Sequence, residues 1–86
     1  MIKIKVYLNG KYHLSVYAKY YGMYTSNPCG YEYFIGHLNA PPYHANRDFT
    51  RRLLIDLNSE KAKFVHGATN KEISIEEVLK ILCLEG

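Results

Sequence analysis

The stretch Ile2-Lys3-Ile4-Lys5-Val6-Tyr7-Leu8, then Asn9-Gly10, then Lys11-Tyr12-His13-Leu14-Ser15-Val16-Tyr17-Ala18-Lys19-Tyr20 decides the fold. Two alternating runs flank an Asn-Gly step, the strongest short-range signal for a β-hairpin. Side chains of a strand point alternately to its two faces. Ile2, Ile4, Val6 and Leu8 therefore share one side of the first run, and Lys3, Lys5 and Tyr7 the other. In the second run Tyr12, Leu14, Val16 and Ala18 oppose His13, Ser15, Tyr17 and Lys19.

A plain two-residue loop at Asn9-Gly10 would pair Val6 with His13 and mix the faces, because a slip of one residue inverts every side chain. Apolar meets apolar when Leu8 pairs with Tyr12, Val6 with Leu14 and Ile4 with Val16. The expected connection is therefore Asn9-Gly10-Lys11, or a tight Asn-Gly turn followed by a bulge. Lys3, Lys5, Tyr7, His13, Tyr17 and Lys19 are then left outside, with Tyr7 opposite His13 and Lys3 opposite Tyr17.

Outward from the hairpin, Tyr20–Gly30 reads as a connection, with Gly22, Asn27-Pro28 and Gly30 as turn formers. Tyr31–Leu38 reads as a third strand, apolar on both sides, in which Gly36 marks a bulge or the close approach of another group. Asn39–Thr50 reads as a long loop, since Pro41-Pro42 cannot join a sheet interior. Residues 51–66 fit two patterns. A second hairpin would turn Leu53, Ile55, Leu57, Ala62 and Phe64 inward around Asn58-Ser59-Glu60-Lys61. A helix capped by Asn46 or Asp48 would carry Phe49, Leu53, Leu54 and Leu57 as its stripe. The hairpin is preferred, because the alternation continues past the turn. Ser74-Ile75-Glu76-Glu77 is a capping box that opens a helix over about residues 75–83, with Ile75, Val78, Leu79 and Leu82 as its apolar face.

The expected fold is α+β. An antiparallel sheet of about five strands (N-terminal hairpin, central strand, second hairpin) has one C-terminal helix packed on one face. A four-stranded sheet with two helices is the runner-up, and turns on residues 47–60.

Composition bounds the rest. The 86 residues make a single domain, 1–86. A hydrophobic content of 48% argues against disorder, and a net charge of +3 permits an anionic partner without requiring one. No apolar run approaches the roughly 18 residues needed to cross a bilayer, and the N-terminal alternation lacks a signal-peptide core. A cytoplasmic location is expected. Cys29 and Cys83, distant and without C-x-x-C spacing, read as free thiols. No His, Cys or acidic spacing suggests a metal site or cofactor.

Nine tyrosines, against three phenylalanines and no tryptophan, exceed what so small a core can hold. Tyrosine joins a large rigid body to a polar tip and is enriched at binding surfaces. The first functional expectation is therefore a protein-binding module, with Tyr7, Tyr17, Tyr24, Tyr43, Arg47, Arg51 and Arg52 as contacts. Small chains of this kind are often inhibitors of host defence enzymes carried by phages or mobile elements, an anti-CRISPR-like role. The alternative is a single-stranded nucleic-acid binder using Lys3, Lys5, Tyr7, Tyr17 and Lys19, lysines for phosphates and rings for bases. A second alternative is a metal-independent RNase in which His44 is the proton carrier beside Arg47, Asp48, Arg51 and Arg52. An exposed sheet edge offers a route to a homodimer.

Overall fold

The computed structural model describes residues 1–22 and 29–85. The N-terminal hairpin forms as two strands, β1 (Ile2–Leu8) and β2 (Lys11–Tyr20). Asn9 and Gly10 both take positive φ, 54° and 78°, as a two-residue turn of the I′ type requires. Leu8 accordingly pairs with Lys11, and Tyr7 with Tyr12. A bulge then leaves His13 unpaired and restores the apolar register: Val6 opposite Leu14, Ile4 opposite Val16, Lys3 opposite Tyr17. Of the two expected connections the turn-plus-bulge is the one adopted. One residue changes sides as a result. Tyr12, expected inward, turns outward beside Tyr7.

The hairpin lies at the heart of a six-stranded antiparallel sheet with the order β4-β3-β2-β1-β5-β6. β3 (Tyr31–Gly36) pairs with β2, and β4 (Tyr43–Ala45) with β3. Pro41 and Pro42 precede β4 rather than interrupt it, so the expected loop 39–50 contains a short edge strand. The other side of β1 is taken by β5 (Lys63–His66), and β5 carries β6 (Glu72–Ile73).

Between β4 and β5 runs α1 (Arg47–Ser59), so the preferred second hairpin is not formed and the runner-up helix is. Asn46 caps it: its side-chain oxygen accepts from the Phe49 amide at 2.7 Å. The buried stripe is Thr50, Leu54 and Leu57, while Phe49 stays exposed. The helix wins because β5 already fills the place beside β1. The chain must cross from the β4 edge to β5, and a helix crosses the core face with its backbone self-satisfied. Lys61 at φ 64° ends α1, its amide bonded to Asn58 O and that of Ala62 to Leu57 O.

Ser74 caps α2 (Ile75–Ile81), accepting from the Glu77 amide at 3.3 Å. Cys83 at φ 56° closes it: the Leu84 amide bonds Leu79 O at 2.7 Å and the Cys83 amide bonds Lys80 O at 3.2 Å. That turn sends Leu84 back into the core. It also aims Cys83 at Cys29.

Ile4, Val6, Val16, Ala18 and Ile35 are fully buried together with Leu54, Val78, Leu82 and Leu84. Both helices therefore cover the same face of the sheet. Tyr33 is buried there too, its hydroxyl donating to Leu82 O at 2.6 Å. Burial pushes its phenol pKa up, Arg47 opposing and Tyr31 assisting.

Cys29 and Cys83 are joined as a disulfide, with Cα atoms 6.3 Å apart and 54 residues of separation. The expectation of two free thiols is corrected. Spacing along the chain gives no hint of this pair, because only the αL turn after α2 and the entry to β3 bring the two together. Among the described residues, no helix is long and apolar enough to cross a membrane.

Candidate functional site

Among the described residues, no helix lies on the second face of the sheet. Its side chains follow from strand alternation: where Ile4, Val6, Val16, Tyr33, Ile35 and Phe64 point inward, their neighbours point out. One row runs across four strands as Lys3, Tyr17, Phe34 and His44, successive cross-strand partners. Beside it, Lys19 stands opposite Glu32, and Lys5 opposite Ser15. Towards the turn, Tyr7 is flanked by Tyr12 and Lys63.

Rings and ammonium groups on this face are in contact. Lys3 Nζ lies 5.5 Å from the centre of the Tyr17 ring, and Lys19 Nζ 5.3 Å from that of Tyr21. Tyr7 and Tyr12 meet edge to face at 5.8 Å, and Phe34 and His44 at 5.4 Å. Ser15, fully buried under this layer, shares a hydrogen bond with the Tyr12 hydroxyl. Gly36 has a specific reason to be glycine. A Cβ there would come within 3.0 Å of Tyr17 Cε2 and 3.7 Å of its hydroxyl. The missing side chain lets the Tyr17 ring lie across the neighbouring strand. The close approach expected at Gly36 is thus made by Tyr17.

The charge is distributed unevenly. The strands hold Lys3, Lys5, Lys11, Lys19 and Lys63 against Glu32 and Glu72. The helices balance Arg47, Arg51, Arg52 and Lys80 with Asp48, Asp56, Glu76 and Glu77. The excess of positive charge therefore belongs mainly to the sheet.

The residues singled out in the sequence separate into groups. Lys3, Lys5, Tyr7, Tyr17 and Lys19 lie together on the open face. Tyr43 is on the β4 edge, 46% exposed and stacked on His37 at 5.9 Å. Arg47 and Arg51, one helical turn apart, both turn to the C-terminal segment. Arg47 donates to Glu85 O at 2.9 Å, and Arg51 Nε to Leu84 O at 3.0 Å. Arg52 is exposed on α1. Tyr24 lies outside the described residues. His44 sits on the open face with Nε2 3.8 Å from Glu32 Oε2, and so faces a carboxylate rather than the arginines that follow it in sequence. Among the described residues, no three His, Cys, Asp or Glu side chains gather as a metal site.

Phe34, Tyr12 and Tyr21 join the face without having been singled out. Phe34 was legible, since it is the aromatic at the outward position of β3. Tyr12 was hidden by the bulge, which no local pattern locates to the residue. Comparison of the chain with protein families, with curated proteins and with solved structures returns no match.

Proposed function

We propose that the open face of the sheet binds single-stranded nucleic acid. The observation that carries the reading is the gathering of Lys3, Lys5, Lys19 and Lys63 with Tyr7, Tyr12, Tyr17 and Phe34 on a face that, among the described residues, no helix covers. Ammonium groups track a phosphate backbone, and rings offer sequence-tolerant stacking to bases that are not already paired. The rings stand on adjacent central strands, so they are rigidly spaced and lose little freedom on binding. A duplex hides its base faces and would leave the rings unused.

The test is fluorescence anisotropy with a labelled single-stranded DNA and its RNA equivalent at low salt. Binding is expected, with marked loss in Tyr17→Ala and in Lys3→Gln/Lys5→Gln while the circular dichroism spectrum is retained. Equal affinity in both variants, or no binding by the native chain, overturns the reading.

A second reading is favoured by a different surface. Leu38, Tyr43 and Phe49 are 71%, 46% and 49% exposed around the β4 edge, an apolar rim beside unpaired strand backbone. Such an edge suits docking of another protein, as an inhibitor of a host enzyme would require. Phe49→Ala and Tyr43→Ala would then weaken a defined complex and leave nucleic-acid binding unchanged.

A further inference from the structure

We propose that the cleft at the β3–β2 end of the open face is a slot for a single nucleotide, its base on the rings and its phosphate at Lys19. This deepens the nucleic-acid reading and rests on it. The cleft holds about 430 Å³ and is bounded by Met1, Tyr17, Lys19, Tyr21, Phe34 and Pro42. That is within the roughly 300–1,000 Å³ of small-molecule sites.

Its floor is formed by two neighbouring rings. Tyr17 and Phe34 are direct cross-strand partners on the open face. Tyr17 lies over Gly36, where a Cβ would stand 3.0 Å from its ring and 3.7 Å from Pro42 Cγ. Phe34 is braced edge-on by His44, the planes 87° apart. Tyr21 is held at the rim by its own amide, which donates to Gly30 O at 2.7 Å. The lining is mostly apolar carbon with an ammonium on each flank, Lys19 against Tyr21 and Lys3 against Tyr17. A planar heteroaromatic ring carrying an anion matches both features, and a purely apolar guest would leave the lysines unanswered. Glu32 stands across from Lys19, with its carboxylate Oε2 3.8 Å from His44 Nε2, while the Lys19 ammonium lies over the Tyr21 ring. Lys19 is thus left able to meet a phosphate.

The test titrates the isotopically labelled full chain with adenosine 5′-monophosphate and, separately, with adenosine, following the aromatic carbon–proton signals. The monophosphate should move the ring signals of Tyr17, Tyr21 and Phe34 and leave those of Tyr7 and Tyr12 in place. Adenosine should bind at least threefold more weakly, and Lys19→Gln should erase that difference. Tyr21→Ala, an exposed position beyond the end of β2, should abolish the shifts without unfolding the sheet. Shifts spread over the whole face, no shifts at all, or an unchanged phosphate preference in Lys19→Gln overturn the slot. Single-strand affinity measured in parallel keeps the two readings apart. A strand that binds native and Tyr21→Ala chains equally, with the monophosphate unbound, removes the slot and leaves the platform. A monophosphate that binds as tightly as any strand keeps the slot and removes the platform.

Discussion

Lys5→Gln removes one ammonium group from the open face and disturbs little else. The side chain makes a 3.5 Å approach of Nζ to Asn70 Oδ1, and β1 keeps its pairing with β2 and β5 through backbone groups. If each outward lysine meets one phosphate, the logarithm of affinity falls with that of salt by about 0.7 per contact on a single strand. Lys3, Lys5, Lys19 and Lys63 together set a slope of about −2.8. Raising monovalent salt from about 50 to about 200 mM then lowers affinity about 50-fold. One contact for each of these lysines makes four the ceiling. With three, the slope is about −2.1 and the loss about 20-fold, which is also the value expected for Lys5→Gln if all four take part. Fluorescence anisotropy at five or so salt concentrations measures the slope directly, and Lys80→Gln on α2 serves as the control of equal charge. A slope near zero refutes the phosphate role. So does a slope left unchanged by Lys5→Gln or lowered equally by Lys80→Gln, since the charge would then act through the whole molecule and not through this face.

Leu54→Ala empties a fully buried position between α1 and the sheet and should cost about 2–5 kcal/mol, read as a lowered urea midpoint. A loss under about 1 kcal/mol, the scale of an ordinary substitution, would place α1 off the core. The raised Tyr33 pKa means that the folded chain keeps a proton the unfolded chain gives up sooner. The associated stability is complete below the ordinary phenol range and is lost as pH rises through the folded-state value. Tyr33→Phe should flatten that alkaline decline in thermal melts and cost about 1 kcal/mol at neutral pH for the bond to Leu82 O. An unaltered decline would assign it to other tyrosines. Opening the Cys29–Cys83 link, by reductant or by Cys83→Ser, frees a 54-residue loop, for which chain entropy gives about 4 kcal/mol. The urea midpoint should fall accordingly, and an indifferent midpoint would show that the covalent link adds nothing to the fold.

Much of the architecture was determined by the sequence alone. Alternation around Asn9-Gly10 separates Ile4 and Val6, both fully buried, from Lys3 and Lys5 on the far face. The Ser74 cap and the Val78–Leu82 stripe announce α2 in the same way. These are local periodicities, and any chain that buries one face must obey them. Residues 47–59 satisfied both periods, because Leu53, Leu54, Ile55 and Leu57 supply apolar side chains to a strand and to a helix alike. The choice came from outside the segment: β5 occupies the free edge of β1, leaving 47–59 to cross the core as a helix. The same holds for the link between Cys29 and Cys83, for the turning of Arg47 and Arg51 to the carbonyls of Glu85 and Leu84, and for Tyr17 lying over Gly36. Each joins residues whose separation along the chain carries no period, so each exists only once the sheet has brought its strands together.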